Sequence, residues 1–293
     1  HLETKRREPW VFGEPTTSRL RQAVIERYTY LPLWYSLFFE ASLSGVPPMR
    51  PMWLEFPSDP STYTMDDQWM VGSALLVKPV EASGLTSVEV YLPPGTTWYD
   101  SRTGAVVAAV GPQRGEKKVV PAPIDATPVL MKGGSIVPRK LRLRRSSQVM
   151  REDPYTLVVA LDQQGQASGV VYGDDEHSLD WQKKGHYSVR TLTLEASGDG
   201  SSFLRCRPAS VAATTGPLAP PSPEYNPPQN TVERIMIMGM DSAPSSINLK
   251  QSKSDVTSEL SFTYDPESKL VTIRKPDVKA FADWDIIIST IEN

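Results

Sequence analysis

Apolar residues recur at Leu20, Val24, Tyr28, Leu31, Tyr35 and Phe38, in steps of three, four and seven. That spacing puts them on one stripe of an α-helix. It predicts a helix over 18–44, with the oxygens of Thr16, Thr17 and Ser18 free to accept from its first-turn N–H groups. Pro32 has no backbone donor, so it kinks this helix or divides it in two. Gly45 ends it, and Pro47-Pro48 forbids continuation. Tyr28, Tyr30, Trp34, Tyr35, Phe38 and Phe39 make the helix surface unusually aromatic, so other structure must cover it.

The pattern after residue 48 is of another kind. Met49–Phe56 reads as a buried strand and Trp69–Val80 as a second one. Short apolar runs then alternate with turn residues. Val88–Leu92 precedes Pro93-Pro94-Gly95, Trp98–Asp100 leads into Thr103-Gly104, and Thr127–Lys132 and Ser135–Pro138 flank Gly133-Gly134. Regular short strands with Gly/Pro punctuation predict a sandwich. A second β unit starts near Pro154, with strands at 155–161, 169–172, 187–195 and 202–207, resuming at 232–239, 260–264, 270–274 and 284–290. Pro208–Gln229 carries seven prolines and few large apolar side chains, so it is expected to be a flexible insertion that proteases cut first. The basic run Lys140–Arg145 is expected to be a solvated linker. A single strong helix ahead of an all-β remainder reads as the last piece of a larger α/β domain with β domains behind it.

Charge and composition narrow the function. The formal net charge is −3, which gives no basic surplus for nucleic acid or an anionic membrane. No apolar run reaches the length of a membrane span. Cys206 is the one cysteine, so no internal disulfide can form.

Three constellations hold chemistry-bearing side chains. His1 with Glu3, Arg6, Arg7 and Glu8 could line a polar pocket or brace a rim through ion pairs, the second being favoured. Asp174-Asp175-Glu176-His177, with Asp180 beyond, lacks the ligand alternation of a calcium loop. It reads as a hairpin turn whose Asp side chains cap backbone N–H groups. Asp66 and Asp67 are adjacent, and adjacent strand residues point to opposite faces, so they do not share a site. The sequence contains no nucleophile elbow, zincin motif, phosphate loop or Cys/His metal pattern. The residues alone thus give no complete catalytic site, no metal site and no cofactor.

The motifs in order resemble glycoside hydrolase family 31. They are RREPW at Arg6–Trp10, RYTYLPLWYSLFFEASLSGVPPMRPMWLEFP at Arg27–Pro57, DDQWMVGSALLVKPV at Asp66–Val80, WYDSRTG at Trp98–Gly104, APIDATPVLMKGGSIVPR at Ala122–Arg139, and VYGDDEHSLDW at Val171–Trp181. Within the family, RREPW and the ending at Val271–Ile288 are most similar to α-glucosidases of the endoplasmic-reticulum lumen. The resemblance implies a mainly β chain with an N-terminal α/β piece. Residues 1–66 would be the C-terminal portion of a (β/α)8 catalytic barrel, 67–146 a proximal β-sandwich, and 147–293 a distal β-sandwich with its Pro-rich insertion at 208–229. The aromatic helix face would pack on barrel strands.

The implied activity is that of a retaining α-glucosidase trimming α-1,3-linked glucose from N-glycans. Its nucleophile and general acid/base would lie upstream of this chain, leaving no catalytic residue here. His1 would sit near the active-site rim without being the family's sugar-contacting histidine. The implied partners are the upstream polypeptide carrying the rest of the barrel, a glucosylated N-glycan and a non-catalytic β-subunit. Glu176 departs from the family, which usually has glycine there. The alternatives are another α-glucosidase of the same family, or a non-catalytic carbohydrate-binding β-sandwich whose Trp98, Tyr99, Tyr172 and Trp181 stack on sugar rings.

Overall fold

Two helices open the fold of a computed structural model, which describes residues 3–197, 200–209, 219–251 and 257–290. Helix α1 spans Thr16–Thr29 and α2 spans Leu31–Ser44. Of the two outcomes expected at Pro32, a kink or a division, the structure shows division into two helices joined at Tyr30. Pro32 falls in the first turn of α2, where a missing N–H breaks no intrahelical bond. Gly45 ends α2 at φ 75°, in the left-handed region that a residue without Cβ enters freely. Thr16, Thr17 and Ser18 lie inside α1 rather than capping it. The Glu14 carboxylate accepts from the Ser18 N–H at 3.1 Å, and the Thr17 hydroxyl donates back to Gly13 O.

Met49–Phe56 is only partly a strand. Strand β1 covers Met49–Pro51, and the chain then turns into the short helix α3, Met52–Glu55. Pro51 has no ladder donor, which suits the sheet edge that β1 occupies. Trp69–Val80 is a hairpin of β2 (Trp69–Val71) and β3 (Leu75–Val77). Gly72 makes its turn at φ 55°. A Cβ there would come within 2.7 Å of Leu37 Cδ2, so this glycine also sets how close α2 approaches.

Six strands make the first sheet, in the order β1-β2-β3-β8-β5-β6. Its later members are β5 (Thr97–Asp100), β6 (Val106–Ala109) and β8 (Val129–Lys132). A separate antiparallel pair, β4 (Ser87–Leu92) and β7 (Glu116–Pro121), closes over it. Met52, Met70, Leu76, Val90, Leu92, Trp98 and Leu130 fill the space between.

The second sheet has eleven strands. They are β9 (Ser135–Arg139), β10 (Tyr155–Ala160), β11 (Ala167–Gly173), β12 (Ser188–Ala196), β13 (Ser201–Pro208), β14 (Thr231–Met238), β15 (Pro244–Gln251), β16 (Thr257–Glu259), β17 (Phe262–Asp265), β18 (Leu270–Lys279) and β19 (Trp284–Thr290). Their spatial order is β16-β15-β19-β13-β12-β11-β9-β10-β14-β18-β17. Side chains from both ends of this order, Ile247 and Leu249 on β15 and Val271 and Ile273 on β18, share one core with Leu157, Leu192, Leu204 and Ile286. The sheet is thus folded over on itself into two layers. Strand β1 lies before residue 67 yet belongs to the first sheet, and β9 lies before residue 147 yet belongs to the second. The chain passes between the sheets at Gly133-Gly134.

A third cluster joins all the parts. Tyr30, Leu33 and Leu37 of the helical segment, Val71, Leu75, Tyr99 and Met131 of the first sheet, and Val137, Val158, Ala160 and Met238 of the second pack together. Tyr30, Tyr35 and Phe39 accordingly pack on strands of this chain, while Phe38 of α2 stays exposed. Phe39 stacks on Tyr172 at 4.1 Å, and Tyr35 meets Tyr172 edge-on at 5.2 Å.

Two expectations about loops hold only in part, since residues 141–145 are exposed but Lys140 is not. Lys140 is buried, with Nζ donating to Met150 O and Arg151 O, and Arg144 grips Asp153 with two guanidinium nitrogens. The basic run is therefore tied down by carbonyl and carboxylate acceptors. Within Pro208–Gln229, residues 210–218 lie outside the described residues, but 219–229 is docked. Ala219 N–H donates to Gln182 O, Ser222 N–H to Gly185 O, and Tyr225 stacks on His186. Backbone hydrogen bonds and one aromatic contact hold a segment that has little apolar surface to bury.

Candidate functional site

Of the three sequence candidates, the acidic turn is the best defined. Asp174 follows β11, and its carboxylate is buried. Oδ1 accepts from the Tyr35 hydroxyl at 2.5 Å and from Glu176 N–H at 2.7 Å, and Oδ2 accepts from the Tyr172 hydroxyl at 2.7 Å. Burial, and then the bond to Asp174, push both tyrosine pKa values well above the usual range. Asp175 accepts from His177 N–H, Ser178 N–H and the Ser178 hydroxyl; the hydroxyl contributes most to holding its pKa down at about 2. The four oxygens of Asp174 and Asp175 all accept from donors of the turn itself, of β11 or of α2, which fits a structural turn. Among the described residues no group of three or more His, Cys, Asp or Glu is placed to hold a metal ion.

Asp66 and Asp67 do not form a site. Asp66 is exposed, and Asp67 pairs with the buried Lys78 ammonium, which Glu81 also approaches at 3.5 Å. His1 lies outside the described residues. Its neighbours Arg6 and Glu8 form an exposed ion pair at 3.1 Å, before a 3-10 turn at Pro9–Phe12.

The structure shows a feature that periodicity missed. Trp10 is 64% exposed, Phe12 54% and Phe38 59%, and Leu20 and Val24 are exposed beside them in sequence. No residue of α1 is buried. The helical stripe read from the sequence is therefore not the buried face: Leu20, Val24 and Phe38 are exposed and Tyr28, Leu31 and Tyr35 half-buried, while α2 buries Leu33, Leu37 and Phe39 instead. The exposed members leave bare apolar surface, which a folded protein seldom leaves unpartnered. Four proposed sugar-stacking side chains fail the complementary test. Trp98, Tyr99 and Tyr172 are buried, and Trp181 is turned against Phe39 at 6.0 Å.

Comparison with known proteins decides the family. The glycosyl hydrolase family 31 C-terminal domain matches residues 45–137. Neutral alpha-glucosidase AB of Mus musculus is 39% identical over 98% of this chain, which corresponds to 28% of that protein. A glucosidase II alpha subunit solved in a Glc1Man2-bound form superposes with a TM-score of 0.85 at 30% identity, over 99% of this chain and 31% of that one. The chain belongs to glycoside hydrolase family 31. A further family 31 neighbour is the catalytic subunit of an ER glucosidase II heterodimer solved with the binding domain of its regulatory subunit, with a TM-score of 0.81 at 29% identity over 99% of this chain and 30% of that chain. The chain spans about three tenths of the length of the relatives it matches. As a family 31 C-terminal region it is a β scaffold headed by two long helices.

Glu176 sits at φ 52°, in the left-handed region, where a glycine would meet no Cβ penalty. Its carboxyl lines a cavity of about 240 Å³ with Lys140, Arg151 and Tyr155, and burial raises its pKa despite those two cations.

Proposed function

We propose that this chain is the C-terminal part of a retaining α-glucosidase that removes α-1,3-linked glucose from N-glycans in the endoplasmic-reticulum lumen. The observation that carries the reading is similarity over nearly the whole chain to neutral alpha-glucosidase AB and to the glucosidase II alpha subunit. In such enzymes two carboxyl groups stand roughly 5 Å apart, one as nucleophile and one as acid and then base. Both are proposed to lie on polypeptide outside residues 1–293, with His1 near the rim of their site. The exposed Trp10, Phe12, Leu20, Val24 and Phe38 support the reading, because a catalytic barrel supplies the apolar partner they lack. A non-catalytic β-subunit is the proposed protein partner, by analogy with the heterodimer whose catalytic subunit this chain is similar to.

The test pairs substrate choice with trapping. The intact enzyme should cleave an α-1,3-linked glucose disaccharide in preference to an α-1,4-linked one. An activated 2-fluoro glucoside should label a carboxylate outside these residues. Preference for the α-1,4 linkage would instead favour another α-glucosidase of the family, and a labelled carboxylate within 1–293 would overturn the placement of the catalytic pair.

A further inference from the structure

Between α2, the β2–β3 turn and the β8–β9 turn runs a groove of about 710 Å³. Hydroxyls dominate its polar lining, with Ser73, Ser135, Ser168 and Thr191 on the sheet side. Glu40 and Lys132 are its only ionisable side chains. Glu40 is engaged, accepting from Arg50 at 3.0 Å. Lys132 is different. Among the described residues its ammonium makes no hydrogen bond and no ion pair. It lies 5.7 Å from the centre of the Phe56 ring. The one carboxylate whose charge acts on it, Glu55, is held at 2.7 Å by the buried Arg50 guanidinium. Burial lowers the Lys132 pKa, and the Glu55 charge offsets only part of that.

Several other lysines have acceptors, including the only other two that are not exposed among the described residues, Lys78 and Lys140. Lys78 has Asp67 and Glu81, Lys117 has Glu89, Lys184 has Asp180, and Lys269 has Asp241. Lys140 also has a lowered pKa, but its Nζ donates to two backbone carbonyls at 3.1 and 2.9 Å. An amine is nucleophilic through its lone pair, and a hydrogen-bonded ammonium must lose those bonds before it reacts. Lys132 has none to lose.

We propose that Lys132 and its groove form a modification site at which the ε-amine condenses with the open-chain aldehyde of a reducing sugar. The lone pair of the neutral amine attacks the aldehyde carbon, the C–N bond forms, and the carbonyl π pair moves to oxygen, which takes a proton. The carbinolamine then expels its hydroxyl with a nitrogen proton as water, leaving an imine. No oxidant or reductant is needed. The hydroxyl-lined groove suits the polyhydroxyl tail of an aldose, and its volume exceeds that of a hexose. The proposal stands apart from the enzyme's linkage specificity, and its test does not use catalytic turnover.

Isotopically labelled glucose and cyanoborohydride, which reduces and fixes the imine, would be applied to the intact protein at pH 8, followed by peptide mapping. Lys132 should be labelled severalfold faster than exposed Lys117 and Lys183 and than buried Lys140. Its labelling rate should level off at a lower pH than theirs. Lys132→Arg should abolish the fast site and leave the slow ones unchanged, with Lys132→Gln as a second variant if the first folds poorly. Labelling that follows exposure alone, or that favours Lys140, would overturn the proposal. So would an unreactive Lys132 in the folded protein that becomes reactive only after denaturation.

Discussion

The Tyr35 hydroxyl reaches Asp174 Oδ1 at 2.5 Å across 139 residues of sequence. It joins the middle of α2 to the end of β11, beneath the stacked rings of Phe39 and Tyr172. The same carboxylate serves the Tyr172 hydroxyl, so one aspartate satisfies two tyrosines that burial would otherwise leave without partners. Asp174→Ala should destabilise the fold by about 2–3 kcal/mol, because a buried hydroxyl without an acceptor bears its full desolvation cost. Tyr35→Phe, which removes donor and demand together, should cost only about 1 kcal/mol. Thermal unfolding of both variants and of the double mutant checks this. Equal losses for the two single variants would mean that the ring contacts, not the carboxylate, dominate.

Glu176→Gly should stabilise the protein. It relieves a left-handed backbone worth about 1–2 kcal/mol in an L-residue and returns part of that as unfolded-chain entropy, for a net gain near 0.5–1 kcal/mol. The gain should also depend on pH. The Glu176 pKa is raised in the folded state, so the native protein binds the extra proton between pH 4.5 and that raised value, and its charged form is disfavoured above. The variant's advantage should therefore be larger at pH 7 than at pH 4, as read from urea unfolding at both.

Gly185→Ala should release the docked strap. At φ 68°, a Cβ on residue 185 would lie 1.9 Å from Pro220 O, a backbone atom with no side-chain freedom. Hydrogen exchange at Ala219 and Ser222, whose N–H groups bond to Gln182 O and Gly185 O, should rise sharply while strands β9–β11 stay protected. Unchanged protection at both amides would show that the strap is anchored elsewhere, through Tyr225 and His186.

Tyr99 donates to Leu161 O at 2.7 Å, and burial, with help from Asp241 and Asp162, pushes its pKa up to about 12. The unfolded chain releases this proton near pH 10. Between those values the native state holds more protons than the unfolded state, so stability falls as pH rises through the window. Tyr99→Phe should flatten that fall and cost about 1 kcal/mol at neutral pH. Denaturant melts at pH 9 and pH 11 give the slope directly.

Much of this architecture was legible in the sequence. Turn residues marked the strands because Gly and Pro dictate backbone geometry locally, and the turn reading of Asp174–His177 followed from the short reach of an Asp side chain. Other features depended on what lay across space. Nothing near Lys140 in sequence shows that Met150 O and Arg151 O would bury it. Pro32 announced a break, but whether a kink or two helices depended on how Tyr30 and Leu33 packed. The stripe from Leu20 to Phe38 was read as one face to be covered; within this chain Leu20, Val24 and Phe38 stay exposed, and α2 buries Leu33, Leu37 and Phe39 instead. Composition correctly marked 219–229 as poor in apolar burial, yet could not register the backbone acceptors at Gln182 and Gly185.

The central strand β10 pairs with β9 on one side and, in parallel, with β14 on the other. During synthesis its first neighbour is already present. Its second is made only after about 70 further residues, which include β11, β12, β13 and the Pro-rich segment. At roughly 5–20 residues per second, the apolar edge of Tyr155–Ala160 stays open for several seconds in every chain made. Over that interval the nascent protein carries an unsatisfied ladder flanked by Leu157 and Val159, the kind of edge that recruits other strands. The order of strands along the gene thus sets a period of vulnerability that the finished fold, with β10 buried at its centre, no longer displays.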